Sequence, residues 1–397
     1  MISDFLVVGG GIVGISIARE LKRRFADSTV HVIEKERTGT EHSSGRNSGV
    51  LHAGFYYTAD SLKARFTRDG NRLLTEYCIE RGLPINRCGK LVVAQTENDL
   101  SSLDELLRRG KKNGVVLQAI TEAEAKEIEP RVKTVQRAIF SPTTSSVDPV
   151  TVVNAMQEDA NAEGVVFHHG TKYLGLSNGS LLTNKGKRTS GYVVNAAGAY
   201  ADKVARDFGF SEKYRILPFK GLYIYSDEIQ GVIRTHIYPV PNLRNPFLGV
   251  HFTVTVDGHV KIGPTAIPAF WREQYRGFAN FRVSEMVEIV TRQIGLFADS
   301  QFDFKKLALE ELRKYHRPHL VDLSKALATG IDSANYSRWG RPGIRAQLTN
   351  IETRRLEMDF VFEGDDKSFH ILNAVSPGFT CSIPFARYVC DNIVDKL

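Results

Sequence analysis

Three glycines near the N-terminus have the spacing that a nucleotide pyrophosphate requires. Gly9, Gly11 and Gly14 form a GxGxxG pattern, and an acid, Glu34, follows twenty residues after the last of them. The first glycine permits a tight turn, the second lets a pyrophosphate approach the backbone, and the third lets a helix pack closely on a strand. The acid is placed to accept hydrogen bonds from ribose hydroxyls, and its charge disfavours a 2′-phosphate. Because glycines also close ordinary turns, the pattern alone is weak.

The elements around these glycines must position them. Residues 4–9 and 29–33 are short apolar runs typical of strands, and apolar residues recur between them at helical spacing. Strand, glycine turn, helix, strand and acid therefore follow in the order of a nucleotide-binding βαβ unit. The helix N-terminus would face phosphates with unpaired N–H groups and a partial positive charge. We expect Ile12 and Val13, between the glycines, to contact the same ligand.

A long polar loop follows the acid. Residues 35–54 are rich in Gly, Ser, Asn and Arg, and loops of this length are usually functional. Their donors suit an anionic or heteroaromatic ligand, although a plain surface loop is the alternative. The predicted contacts are Lys35, Ser43, Ser44, Arg46, Asn47, Ser48 and Gly49.

The composition is that of a soluble globular protein. Of 397 residues, 42% are apolar and 24% are charged, and no apolar run approaches the ~18 residues of a membrane span. The chain enters its first strand at once, which predicts no signal peptide and a cytoplasmic location. The net charge of +7 favours an acidic substrate or an anionic membrane surface over nucleic acid. The four cysteines have no metal-binding or CxxC spacing, so we expect reduced thiols and no metal site.

The predicted fold class is α/β, with a Rossmann-like nucleotide domain and a second domain built on a mainly antiparallel sheet. Helical periodicity marks residues 61–81, 98–113, 152–162, 285–293, 304–315 and 385–395, and strand patterns mark residues 90–95, 165–167, 192–195, 223–225, 235–240, 247–256 and 259–263, with a turn at 242. Residues 46–54 and 140–148 are too rich in Gly or turn residues for core strands. The predicted first domain comprises residues 1–86, 146–216 and 335–397, and the second comprises 87–145 and 217–334.

Several motifs resemble those of one superfamily. The N-terminal unit, the run from Asn195 to Gly198 and the run from Ser376 to Ser382 are similar to those of the FAD-dependent D-amino-acid-oxidase superfamily. Within it, four further motifs resemble the family of L-2-hydroxyglutarate dehydrogenases (oxidases). They are residues 42–54 (HSSGRNSGVLHAG), 88–94 (CGKLVVA), 218–223 (PFKGLY) and 261–265 (KIGPT).

The resemblance implies a noncovalent FAD with its pyrophosphate on residues 9–14 and the 43–49 loop along its phosphates and ribityl chain. It places Ala197 and Gly198 near the nucleotide, and closes Pro377, Gly378, Phe379 and Thr380 over the flavin. The second sheet would form the ceiling of the substrate pocket. Electrons would leave the substrate as a hydride to flavin N5 and pass to a quinone or to oxygen.

Oxidising a hydroxy acid requires a group that accepts the hydroxyl proton. Histidine suits this role near neutral pH. His52, in the loop beside the flavin, and His251, in the ceiling sheet, are the candidates, and each has a plain structural alternative as a histidine bonded to backbone. Lys261 resembles the lysine over N5 in related amine oxidases, where it assists reoxidation, although a strand lysine is usually solvated.

The substrate carboxylates require cations or hydroxyl donors, ideally a bidentate Arg with a Tyr. Arg341 and Arg345 stand where the superfamily returns an Arg-Pro segment to the flavin, and Lys220, Tyr223 and His236 would lie on the ceiling. This distribution of positive charge favours a five-carbon hydroxy diacid as substrate. The resemblance implies that this diacid is L-2-hydroxyglutarate, which would be oxidised to 2-oxoglutarate.

Two other functions stay open at this point. One is a flavoenzyme of the same fold that oxidises glycerol 3-phosphate, another hydroxy acid or a small amine. The other is a non-catalytic flavoprotein that acts as a redox partner. The charge balance and the predicted helix at 304–315, followed by His316-Arg-Pro-His319, are compatible with peripheral contact on the inner face of the cell membrane.

Overall fold

The computed structural model describes residues 2–241, 248–298 and 304–397. The helices of these residues are α1 Ile12–Arg24, α2 Leu62–Glu80, α3 Leu100–Lys112, α4 Glu122–Ile128, α5 Pro149–Ala162, α6 Ala201–Asp207, α7 Val283–Ala298, α8 Phe304–Arg313, α9 Arg317–Ser324 and α10 Gly378–Val394. None of these described helices has both the length and the apolar content needed to cross a membrane.

Short strands connect and pair around these helices. The strands are β1 Ile2–Val8, β2 Val30–Ile33, β3 Val50–Leu51, β4 Ile85–Asn86, β5 Lys90–Val93, β6 Gln118–Thr121, β7 Arg137–Ser141, β8 Ser145–Val147, β9 Val166–His168, β10 Tyr173–Ser177, β11 Ser180–Thr183, β12 Gly186–Asn195, β13 Tyr214–Gly221, β14 Ile224–Tyr225, β15 His236–Pro239, β16 His251–Val254, β17 Val260–Gly263, β18 Ile267–Pro268, β19 Arg338–Trp339, β20 Gly343–Asn350, β21 Arg355–Leu356, β22 Val361–Gly364 and β23 Ser368–Asn373.

The first sheet is the nucleotide-binding half of the molecule. Strands β9, β2, β1, β12 and β23 lie side by side and parallel, and β22 adds an antiparallel edge. A parallel pair needs a crossover, and α1 provides the one between β1 and β2. Both faces of such a sheet are covered, so its strands are almost continuously apolar. Val7, Val32 and Val194, one from each central strand, are 0% exposed in a core shared with α1, α5 and α10.

The second sheet is larger and mainly antiparallel. Its order is β19-β14-β17-β16-β15-β5-β7-β6, and within this order only the β15–β5 pair is parallel. Helix α9 shares one apolar core with this sheet, and the hairpin strands β16 and β17 contribute to that core. The predicted fold class is therefore confirmed.

A long ladder connects the two halves. Strands β13 and β20 pair antiparallel from Tyr214↔Asn350 to Gly221↔Gly343. Strand β13 begins inside the first predicted domain and ends inside the second. The domain boundaries stay a prediction, because this ladder belongs to neither large sheet.

Three expectations about elements need correction. Residues 46–54 contain the buried strand β3, and residues 140–148 contain β8, with which β3 pairs. The last helix begins at Gly378 rather than at 385, because it continues through Pro384 instead of starting after it. The strand expected over 247–256 begins at His251, and residues 242 and 247 lie outside the described part of the chain.

Candidate active site

A cavity of about 1020 Å³ opens beside the first sheet and strand β20. Its walls come from the end of β1, the loops after β2 and β12, strand β20 and the start of α10. The predicted cofactor contacts that line it are Gly9, Gly11, Ile12, Val13, Gly14, Glu34, Lys35, Ser43, Ser44, Arg46, Asn47, Ser48, Ala197, Gly198, Pro377, Gly378, Phe379 and Thr380. Gly49 is not on this wall. Its φ is +76°, and a Cβ there would lie 2.4 Å from the carbonyl oxygen of Val147, so its role is to turn the chain into β3.

Two helix N-termini open into this cavity. Helix α1 begins after Gly11 and α10 begins after Pro377, and neither has an acidic residue in its first turn. The partial positive charge of each N-terminus is therefore not neutralised by its own side chains. Both helices fit the binding of phosphate or another electron-rich group.

The glycine turn is packed too closely for side chains. A Cβ on Gly14 would lie 2.0 Å from the carbonyl oxygen of Gly9, and one on Gly11 would lie 2.8 Å from Ser44 Oγ. Gly9 itself has a φ of +111°, which is costly for other residues. The turn therefore leaves bare backbone facing the cavity, as a pyrophosphate requires.

Glu34 is 8% exposed, and its carboxylate accepts hydrogen bonds from the backbone N–H groups of Gly10 (2.8 Å) and Glu36 (2.9 Å). An ionised carboxylate has about four acceptor positions, so two remain for a ribose diol. The residues present thus fit an FAD-type dinucleotide.

Lys35 reaches the wall, but its ammonium is paired with Glu273 and lies 3.3 Å from Glu36. Its charge is not available for a phosphate.

The 43–49 loop is held in shape by its own hydrogen bonds. Asn47 Nδ2 donates to the carbonyl oxygens of Ser43 (3.1 Å) and Ser44 (2.9 Å), and its Oδ1 accepts from Gly49 N–H (2.9 Å). Ser44 Oγ accepts from the N–H of Ile12 at 3.0 Å. The loop is therefore fixed to the start of α1.

Arg46 serves the same loop as a brace. Its guanidinium donates to the carbonyl oxygens of Glu41 and Pro342 and lies 4.4 Å from the centroid of the Tyr275 ring. Burial and the nearby charge of Arg341 lower the pKa of Arg46.

Three predicted reactive residues line the same cavity: His52, Tyr223 and Arg345. Arg345 Nη1 donates to the carbonyl oxygen of Thr265 at 2.9 Å, which orients its guanidinium. Burial raises the pKa of Tyr223 to about 12, and the charge of Arg345 opposes that rise. A neutral hydroxyl and a guanidinium that interact in this way are the donors that a carboxylate requires.

His52 is one of two histidines that line the cavity, the other being His42. The backbone N–H of His52 donates to Thr380 Oγ1 at 3.3 Å, which ties it to the start of α10. Burial, and then the charge of Lys90, lower its pKa well below the ordinary value. The ring is therefore neutral at physiological pH, which is the form a general base needs.

Lys261 and His251 lie behind the wall. Lys261 is 6% exposed, and its ammonium donates to the carbonyl oxygen of Ser48 at 3.1 Å and lies 4.8 Å from the Tyr223 ring centroid. Burial lowers its pKa to about 8. His251 donates from Nδ1 to the carbonyl oxygen of Gly249 (2.8 Å), and burial lowers its pKa to about 3.

Three predicted substrate contacts are not brought to the cavity wall. Arg341 is exposed on the loop before β20, and Lys220 is buried on β13 away from the lining. His236 is 0% exposed: its Nδ1 accepts from Val254 N–H (3.1 Å), and its Nε2 contacts Ser146 Oγ (3.4 Å). These contacts make His236 part of the core.

Sequence reasoning missed one residue of this region, Lys90, whose Nζ lies 3.5 Å from His52 Nδ1. A lysine opening the apolar run of β5 was a usable signal, because lysine is almost never fully buried without a reason.

Comparison with known proteins agrees with this geometry. A family model described as FAD dependent oxidoreductase matches residues 4–392. The L-2-hydroxyglutarate dehydrogenase of Escherichia coli (strain K12) is 30% identical over 98% of this chain and 93% of its own. The mitochondrial L-2-hydroxyglutarate dehydrogenases of Nematostella vectensis and Homo sapiens are 35% and 34% identical, over 99% of this chain and 91% and 89% of their own.

Solved structures share the fold. The L-alpha-glycerophosphate oxidase from Mycoplasma pneumoniae with FAD bound superimposes with a TM-score of 0.79 at 21% identity, covering 99% of this chain and 95% of that one. The glycine oxidase from Geobacillus kaustophilus gives 0.72 at 20% identity, covering 100% and 95%.

Proposed function

This chain belongs to the family of FAD-dependent oxidoreductases, and we propose that it oxidises L-2-hydroxyglutarate to 2-oxoglutarate. The observation that carries the proposal is that Arg345, Tyr223 and neutral His52 line one cavity, with the charge of Arg345 acting on the Tyr223 hydroxyl. The names of the relatives support the same substrate.

Bound FAD supplies the electron chemistry, since a flavin accepts a hydride from an α-carbon. The residues that would hold it are the glycine turn, Glu34, the 43–49 loop and the start of α10. The protein must then bind the hydroxy acid, orient it and receive its hydroxyl proton.

The roles follow from the contacts. Arg345 and Tyr223 bind a carboxylate with charge-assisted hydrogen bonds. His52 accepts the hydroxyl proton, because its ring is neutral, whereas both ring nitrogens of His42, the other histidine on the wall, are bonded to Tyr275 and Glu36. We assign the other carboxylate to Lys261, which lies behind that wall and would have to exchange its bond to the carbonyl oxygen of Ser48 for one to the substrate.

An anaerobic panel of substrates tests this proposal through flavin absorbance. L-2-hydroxyglutarate should bleach the flavin, and lactate should be worse by about two orders of magnitude, because it lacks the second carboxylate and leaves a cation unpaired. The D-enantiomer should not react, because its α-hydrogen points away from the flavin. Equal efficiency with lactate or glycerol 3-phosphate would replace the diacid with one of the alternatives. A flavin reduced by NADH and by none of the hydroxy acids would indicate a redox-partner protein.

We also propose that the reduced enzyme passes electrons to a quinone, working in the cytoplasm while docked on the inner face of the cell membrane. A group of exposed apolar side chains, formed by Phe278 (83% exposed), Phe281, Val283, Val287 and Ile294, supports this location. Exposed Arg276 and Arg282 flank it in the sequence. Apolar side chains beside cations are complementary to an anionic bilayer surface.

Vesicle sedimentation tests the docking. The double variant Phe278→Ser/Val287→Ser should bind phosphatidylglycerol vesicles less than the parent, whereas Ile229→Ser, at a site 81% exposed elsewhere on the surface, should not change binding. Equal loss of vesicle binding in both variants would refute this surface.

Stopped-flow reoxidation tests the acceptor. Reoxidation of the reduced flavin by oxygen that is faster than reoxidation by a soluble quinone analogue would contradict a quinone-linked enzyme.

A further inference from the structure

Lys90, at the start of β5, is a lysine buried among aromatic rings. It is 0% exposed, and its Nζ lies 4.3, 5.3 and 5.8 Å from the ring centroids of Tyr238, Tyr56 and Phe55. No carboxylate of the described residues pairs with it. An ammonium taken out of water without a counter-ion is unfavourable. Lys90 can therefore lose its proton and exist as a neutral amine more easily than a lysine at the surface.

The titratable groups that face Lys90 supply no negative charge. Burial lowers the pKa values of His236 and His251 and raises those of Tyr56 and Tyr238. It also raises the pKa of the Cys88 thiol to about 11. All of them are uncharged at neutral pH. These groups are Tyr56 after β3, Cys88 before β5, His236 and Tyr238 on β15, and His251 on β16, while β7 places the uncharged Ser141 opposite Lys90.

Lys90 contacts the cavity lining through His52. Its Nζ lies 3.5 Å from His52 Nδ1, at the long end of a hydrogen bond, and such bonds often tighten when a substrate complex forms. His52 lines the cavity and Lys90 does not. His52 Nε2, which has no hydrogen-bond partner in the described part of the chain, is the ring nitrogen left for a substrate.

We propose that Lys90 is a positioning residue that receives, through His52, the proton of the substrate hydroxyl. The proposal rests on the function proposed above, in which His52 is the base. The substrate O–H bond breaks as an N–H bond forms at His52 Nε2, and the His52 Nδ1–H bond breaks as an N–H bond forms at Lys90 Nζ. The C–H electron pair leaves with the hydride in the oxidation already described. His52 ends neutral in its other tautomer, and Lys90 ends as an ammonium.

The order of basicity supports this direction of transfer. Burial lowers the pKa of Lys90 to about 7, while the pKa of His52 lies well below the usual histidine value. A proton taken up by His52 is therefore more stable on Lys90. The three surrounding rings stabilise the ammonium that forms, through cation–π contacts.

Two substitutions separate a relay from an anion-binding site. Lys90→Met keeps the length of the side chain and removes the amine, whereas Lys90→Arg keeps a cation that cannot lose its proton. Lys63→Met is the matched control, because Lys63 is also buried, with a pKa lowered to about 8 by burial, and lies outside the cavity lining. Circular dichroism and the flavin content per chain verify that each variant is folded.

The first measurement is anaerobic flavin reduction by L-2-hydroxyglutarate across pH. In the parent enzyme the rate should rise as pH passes through about 7, because the amine must be neutral to accept a proton. Lys90→Met should lose this rise and react about a hundredfold more slowly with unchanged substrate affinity. Lys90→Arg should be equally slow, and Lys63→Met should keep the parent profile. Restored turnover in Lys90→Arg, or weaker binding at an unchanged rate in Lys90→Met, would overturn the relay in favour of an anion-binding lysine.

The second measurement needs no substrate. The pKa of the His52 ring, followed by NMR and assigned by its loss in His52→Gln, should rise in Lys90→Met because a neighbouring cation is removed, and should stay low in Lys90→Arg. An unchanged His52 pKa in Lys90→Met overturns the Lys90 proposal alone. A parent enzyme that L-2-hydroxyglutarate does not reduce overturns the proposed function and the relay that rests on it, whatever the pKa of His52.

Discussion

Arg272 and Asp202 form a bidentate ion pair in which both side chains are 0% exposed. The two hydrogen bonds measure 2.6 and 2.9 Å, and Asp202 Oδ2 also accepts from the backbone N–H of Ile216 at 3.1 Å. The pair thus joins α6, strand β13 and the segment after β18. It attaches the segment after β18 to the nucleotide-binding half.

Breaking this pair should destabilise the protein strongly. Asp202→Asn removes the bidentate counter-ion of a buried guanidinium and leaves it only Glu288, at 3.3 Å, so we expect a loss of about 3–5 kcal/mol in the free energy of unfolding, measured by urea denaturation. The double variant Asp202→Leu/Arg272→Met should recover much of the loss, because neither buried charge remains. A single variant as stable as the parent would show that the pair contributes little.

The glycine turn should decide cofactor binding. Gly11→Val places a side chain against Ser44 Oγ, where a Cβ alone would be 2.8 Å away, so we expect a colourless protein with far less FAD per chain. Gly295→Ala is the control, since none of the described residues lies within 4 Å of a Cβ there, and it should stay yellow. The parent should release its flavin on acid denaturation, and flavin that remains in the precipitate would contradict noncovalent binding.

The two predicted arginines should behave differently. Arg345→Met removes a guanidinium from the cavity wall, and we expect substrate affinity to fall by roughly 1.5–3 kcal/mol, the usual contribution of a hydrogen bond to a charged group. Arg341→Met, at an exposed position off the lining, should bind normally. Titration of the anaerobic enzyme with 2-oxoglutarate, followed by flavin absorbance, measures both. The reverse ranking would restore Arg341 as the carboxylate anchor.

His370 should make stability depend on pH. It is 0% exposed. Its Nδ1 accepts from Asn195 Nδ2 (3.1 Å), its Nε2 donates to Ser368 Oγ (3.0 Å), and burial lowers its pKa from 6.5 to about 4. Because the unfolded chain binds the proton more tightly, this contribution is complete above pH 6.5 and is lost as pH falls toward 4. The full difference corresponds to roughly 3 kcal/mol.

Urea unfolding at several pH values checks this prediction. His370→Gln should flatten the fall in stability on the acid side of neutrality, whereas His316→Gln, at an exposed position, should not. An unaltered slope in His370→Gln would assign the acid sensitivity to other groups.

The sequence alone determined the nucleotide half of the molecule and the list of candidate groups. Glycine spacing, apolar period and a following acid are local properties of a βαβ unit, so the positions of Gly9, Gly14 and Glu34 within that unit follow from their spacing along the chain. Antiparallel strand patterns likewise indicated the second sheet.

Only the tertiary structure decided which candidates meet. Lys220, His236, Tyr223 and Lys261 all occupy strands or strand ends of the ceiling region, and nothing in their local sequence shows which of them the cavity exposes. Strand pairing turns His236 into the core and leaves Tyr223 on the wall. The contact of Lys90 with His52 joins positions far apart in the chain, because it depends on how β5 packs against the loop after β3. Burial sets the pKa values of both groups, and burial is a property of the folded molecule alone.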